Sequence, residues 1–138
     1  MNYYGTFIAV AEDCPVTSSV VPPTRAGKKT VAVLQYEMLT ERPRQLTQED
    51  VLFESWFLRR PGADELSESE RDLLREEFFS KAQPCLRASP LPKKYGFGLH
   101  FDGRGLVRLC PVESEEYGHL LAGAEGVTIL KAMRSARR

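Results

Sequence analysis

The sequence predicts an α+β domain: a mostly antiparallel sheet of about four strands with three to four helices packed on one face. Three observations carry this. Residues 95–110 alternate in strand fashion about a Gly103-Arg104-Gly105 turn. Two mid-chain segments, opening at Thr47 and Ser67, begin with helix-capping pairs. Short stretches rich in β-branched residues stand near both ends of the chain.

Length and composition set the bounds. The 138 residues make one domain, 1–138, and 42% apolar residues suffice for a real core. Lysine plus arginine (19) cancel aspartate plus glutamate (19), so no global field draws in nucleic acid or an anionic membrane. The basic tail, residues 135–138 with Lys131 and Arg134 just before, reads as a solvated end. No apolar run approaches the ~20 residues that cross a bilayer, and MNYYGTFIAVAEDCP lacks the basic start of a secretion signal. Cys14, Cys85 and Cys110 are odd in number and widely spaced, with no CxxC, which points to reduced thiols and the cytoplasm.

Thr6 to Ala11 reads as the first strand, closed by Glu12-Asp13-Cys14-Pro15. Residues 15–29 hold three prolines and a Thr-Ser-Ser run, with Arg25, Lys28 and Lys29 near the end. That loop exceeds ordinary connections and is expected to be functional or mobile. Thr30 caps a helix over VAVLQYEMLTE with Val31, Leu34, Met38 and Leu39 on one face, although TVAVL would also suit a strand. Pro43 ends it. Thr47 with Asp50 opens a second helix that buries Val51, Leu52, Phe53 and Trp56 and stops at Arg59-Arg60 before Pro61-Gly62. Ser67 with Glu70 forms a capping box for a third, running to Ala82, in which Leu73 and Phe79 widen the stripe of Leu74 and Phe78. Pro84 and Pro90 disfavour its continuation beyond Ala82, and an irregular crossing through Cys85 to Lys94 follows.

In the strand that follows, Tyr95, Phe97, Leu99 and Phe101 share one face, and Gly96, Gly98, His100 and Asp102 the other, polar one. A three-residue loop sets Asp102 opposite Leu106, His100 opposite Arg108 and Gly98 opposite Cys110, which keeps Val107 and Leu109 with the aromatics. A four-residue loop would put Arg108 there instead. Ser114 caps a short helix, and Val127 to Met133 is the closing strand.

The densest stretch is Phe78 to Asp102. Its FSKAQPCLRASPLPKKYGFGLHFD, followed by VESEEY, resembles a family of short, mainly bacterial proteins filed as a domain of unknown function. TFIAVAEDCPVT, GKKTVAVLQYEML, DVLF and KAMRS carry the same resemblance across nearly the whole chain. The resemblance implies a single soluble domain and supplies no activity, cofactor or binding residue. Arg108 and Cys110 lie outside its pattern, which lessens the interest of a His100–Arg108–Cys110 cluster.

Two chemistries compete in that stretch. Arg87, Ser89, Lys93, Lys94 and His100 could hold a small anionic ligand or a protein partner, since arginine offers a fork, serine a hydroxyl and irregular backbone free N–H groups. Gly96 and Gly98 would let a ligand approach the strand. Against this stand solvated lysines, an Arg87 paired with a third-helix carboxylate, and glycines that make room for a helix or bulge. The enzyme alternative has Cys85 as nucleophile or redox thiol, activated by Arg87, Lys93 and Lys94, with His100 as base. Its competing explanation is a small buried hydrophobe. A Cys-x5-Arg phosphate loop fails, because the sixth residue after Cys85 is Leu91.

No metal or cofactor is expected: Cys14, Cys85, Cys110, His100 and His119 have no ligand-like spacing, and Walker, GxSxG and GxGxxG motifs are absent. Asp102, Glu113, Glu115 and Glu116 have local explanations at a turn and a helix start. Tyr3 and Tyr4 with the basic tail fall short of an interleaved nucleic-acid groove. Trp56 is expected in the core. A third possibility is a structural protein that oligomerises through a sheet edge.

Overall fold

A computed structural model describes residues 1–136, so Arg137 and Arg138 of the basic tail lie outside the described residues. Four strands, β1 (Thr6–Ala9), β2 (Phe97–Phe101), β3 (Val107–Pro111) and β4 (Thr128–Lys131), form one sheet in the order β3-β2-β1-β4. Among the described residues five helices accompany it: α1 (Val31–Glu41), α2 (Gln48–Phe57), α3 (Glu68–Phe79), α4 (Pro90–Lys94) and α5 (Glu115–Leu121). Among the described residues no helix is long and apolar enough to cross a membrane.

The α+β class stands, and two finer expectations are corrected. The sheet is mixed: β1–β2 and β2–β3 are antiparallel, but β1–β4 is parallel. The cause is the connection from β3 through α5 to β4. A helical crossover returns the chain to the same end of the sheet, so β4 runs in the direction of β3 and therefore of β1. That crossover also puts helices on both faces rather than one. Leu34, Met38, Leu39, Val51 and Leu91 cover Ile8, Phe97, Leu99 and Phe101 on one side. Tyr117 and Leu120 of α5 cover Phe7, Ala9 and Cys110 on the other.

Strand β2 is consequently buried at all five residues, Gly98 and His100 of the supposed polar face included. Gly98 lends its missing side chain to this layer: a Cβ there would come within 2.8 Å of the Phe7 ring and 3.0 Å of Tyr117. It accommodates aromatic rings, not a ligand.

Local signals held where they were local. Thr30 caps α1, capping boxes at Thr47/Asp50 and Ser67/Glu70 start α2 and α3, and Ser114 caps α5. The hairpin has the three-residue loop, with Gly98 opposite Cys110, His100 opposite Arg108 and Phe101 opposite Val107. Asp102 N–H donates to Leu106 O at 3.0 Å, and Gly105 sits at φ +84°.

Helix α3 departs from expectation. It ends at Phe79, three residues before Ala82, and buries no residue. Leu73 is 67% exposed, off the stripe formed by Leu74, Phe78 and Phe79 against Phe53, Phe57 and Trp56 of α2. Trp56 is half-buried rather than core, because α3 leaves an opening beside it. The crossing is also more regular than two prolines suggested: a single 3-10 turn spans Leu86–Ala88, and Ser89 then caps α4 with Pro90 at its first position, where the missing N–H costs no helical bond.

Candidate functional site

Two buried glutamines hold the crossing against the helices. Ser89 Oγ donates to Gln35 Oε1 at 2.6 Å, Gln35 Nε2 donates to Ser55 Oγ at 3.3 Å, and Ser55 Oγ donates to Val51 O at 2.8 Å. Gln48 Oε1 accepts from Leu86 N–H at 2.8 Å, while its Nε2 donates to Met1 O. Polar groups out of water must find partners; these find each other, and so fix residues 86–89 over α1 and α2. Neither glutamine figured among the sequence candidates. Gln35 carried a readable signal, since it stands between Leu34 and Met38 on the buried face of α1.

Between crossing and helices lies a pocket of about 210 Å³. Its walls are Val31 of α1, Leu52 and Trp56 of α2, Phe78 of α3, and Pro84, Cys85, Leu86 and Ala88 of the crossing. The Trp56 and Phe78 rings lie 5.0 Å apart. Gln35, Ser55 and Ser89 make a polar patch in the lining, and Arg59 is also among the lining residues.

Cys85 lines this pocket with its thiol held by Tyr3, whose hydroxyl donates to Sγ at 3.2 Å. Burial first, and then the bond to Cys85, push the Tyr3 phenol up to about 12, so it stays protonated as a donor. Tyr3 also meets Phe101 edge-on at 5.5 Å, which places Cys85 on the α1/α2 side of the sheet.

His100 is on the other side. Only 1% exposed, it lies in β2 between Leu99 and Phe101, whose side chains point to the Cys85 side. Its Nδ1 is 2.6 Å from Nη2 of Arg44, and its carbonyl accepts from Arg44 Nη1 at 2.8 Å. Burial, and then the Arg44 charge, hold the imidazole below its ordinary value. Glu116 Oε1 at 3.8 Å and Glu125 Oε1 at 3.9 Å are beyond hydrogen-bond reach, and a neutral ring makes no ion pair with them. Arg44 occupies a left-handed backbone position at φ +60° and Glu125 another at φ +62°. Neither was visible as a partner of His100 in the sequence. Arg108 pairs with Glu116, and burial pushes the Cys110 thiol up.

The remaining candidates are scattered. Arg87 does not pair with an α3 carboxylate; its Nε donates to Lys131 O at 2.7 Å and its carbonyl accepts from Met133 N–H at 2.8 Å, which fastens the crossing to β4. Ser89 is 5% exposed, and its oxygen also caps Leu91 N–H at 3.2 Å. Lys93 and Lys94 close α4, where cations suit the negative end of the helix dipole. Of the five residues named for an anion, only Ser89 reaches the pocket, and Cys85 has no histidine base beside it. Cys14, Cys85 and Cys110 are free thiols, and among the described residues no three metal-binding side chains converge.

The comparisons with known proteins add little chemistry. One family model, DUF6157, described as a family of unknown function, matches residues 1–138. No curated protein and no solved structure matches the chain.

Proposed function

The chain belongs to this family of unknown function, and we propose that it is a binding module for a small ligand held in the pocket beneath the crossing. One observation carries the proposal: the Cys85–Ser89 crossing, pinned by Gln35 and Gln48, roofs a largely apolar opening with an aromatic wall at Trp56 and Phe78. Apolar concavities with a few placed polar groups are the usual form of small-molecule sites. At about 210 Å³ the pocket falls below the roughly 300–1,000 Å³ that drug-sized ligands occupy, so its occupant is a single ring or a short chain. The free thiols support a reducing compartment, and cytoplasmic residence is part of the same proposal.

Ligand-detected NMR and thermal-shift screening with small aromatic and aliphatic amides and acids tests it. Hits should raise the melting temperature and perturb residues around Trp56 and Ala88. Trp56→Ala should weaken binding, and Ala88→Phe, which fills the opening, should abolish it. No hit in either assay would sink the proposal.

A second reading keeps Cys85 as a nucleophilic or redox thiol, favoured by its position in the pocket wall and by the Tyr3 donor. It proceeds without His100, which the sheet separates from it. Alkylation of Cys85 followed against pH decides: a slow, ordinary thiol removes this reading and leaves the binding module.

A further inference from the structure

The pocket has a neighbour at Arg59. A second, wider depression of about 630 Å³ shares Val31 and Arg59 with it and extends past Lys28, Lys29 and the start of α1. The two parts differ in chemistry, with aromatic rings at one end and cations at the other. A tight turn sets up the cationic end. Arg25 N–H donates to Lys28 O at 3.2 Å and Lys28 N–H to Arg25 O at 2.9 Å, with φ +51° at Ala26 and +72° at Gly27. Positive φ at both central positions is the type I′ geometry, and it delivers Lys28 and Lys29 directly before the Thr30 cap. No acidic residue offsets the first turn of α1. Lys29 is engaged by Glu37 at 2.9 Å, whereas Lys28 and Arg59 have no carboxylate partner among the described residues.

We infer that the two adjoining depressions act as one groove and take an amphipathic oxyanion, with a ring or short apolar chain beneath the crossing and a carboxylate or phosphate monoester head at Arg59 and Lys28. The inference rests on the binding-module proposal and supplies its ligand class. Arginine offers both head groups a planar pair of N–H donors, and Lys28 adds a mobile charge at the same rim. The long loop over residues 15–29 thereby gains a role, and the anion preference sits at Lys28 and Arg59 rather than at Arg87, Lys93 and Lys94.

Calorimetric titration at low salt with benzoate, phenyl phosphate, benzamide and inorganic phosphate tests it. At least one of the two ring-bearing anions should bind about tenfold tighter than benzamide, as a charge-assisted hydrogen bond predicts. Added salt should shrink that advantage. A Lys28→Gln/Arg59→Gln double variant should lose that advantage of the anions over benzamide; both side chains are exposed, so the variant should keep its melting temperature. Equal binding of benzamide and both anions would overturn the oxyanion class yet leave the pocket. Inorganic phosphate binding as tightly as phenyl phosphate would overturn the amphipathic character. Failure of benzamide, benzoate and phenyl phosphate alike would remove the pocket and the inference together.

Discussion

A guanidinium cannot accept a hydrogen bond, so the 2.6 Å contact of Arg44 Nη2 makes His100 Nδ1 the acceptor and leaves the ring proton on Nε2. His100 is therefore neutral in the fold, and its value lies below the ordinary ~6.5 of the unfolded chain. As pH falls the unfolded chain takes up this proton first. The stabilisation is full above about 6.5 and is lost as pH drops from there toward the folded value. Arg44 and Arg108 oppose protonation, while Glu125 and Asp102 favour it and Glu116 stands nearby. Denaturant unfolding between about pH 8 and 5.5 should show stability declining toward acid, and His100→Gln should remove that part of the slope. Coincident slopes for the two proteins would refute the neutral, Arg44-bound imidazole. In catalytic terms the same contact matters, because it occupies Nδ1 of a ring that is only 1% exposed.

Among the elements, the four strands and four longest helices were legible because their signals are short-range. A capping box needs three residues' spacing, and the hairpin register follows from keeping Leu99, Phe101, Val107 and Leu109 on one face. The site was harder to read. The crossing was identified as the place to look, and it does line the pocket, but its partners Gln35, Gln48 and Tyr3 lie 38 to 82 positions away in sequence. Nothing local marks such pairs. The same limit hid the second helical layer: Gly98 and His100 look like a solvated strand face until α5 folds over them. Helix α3 shows what side-chain packing without burial gives. It is held by Leu74, Phe78 and Phe79, by Arg71 pairing with Glu54, by Arg75 with Asp50 at 3.0 Å, and by Arg71 stacked 4.9 Å over Phe57. With no residue of its own buried, α3 should open at lower free energy than the sheet. Hydrogen exchange should therefore show α3 amides exchanging faster than those of β1 and β2. Phe78→Ala should speed α3 further and leave the strands unchanged; uniform exchange across both would mean α3 unfolds only with the whole.

At the scale of the molecule, the sheet is a partition. One side carries the pocket, the Gln35–Ser89 bond and Cys85; the other carries Arg44, His100, Glu116 and the α5 layer. Both sides draw on the same strands, since Leu99 and His100 are neighbours in β2, so a stiff sheet could in principle transmit a change from one to the other. Close packing argues otherwise for small changes: perturbations that share no partner usually add within about 0.3–0.5 kcal/mol, whereas contacting pairs couple by roughly 0.5–3. Two double-mutant cycles on unfolding free energy separate these cases. Gln35→Leu with Ser89→Ala breaks one buried 2.6 Å bond from both ends, so the pair should couple clearly. Trp56→Ala with His100→Gln spans the partition and should add. Coupling in the second cycle as large as in the first would show that the sheet conducts strain, and the pocket would then sense the protonation of His100. Additivity keeps the two faces separate, with ligand binding on one and the acid sensitivity of the fold on the other.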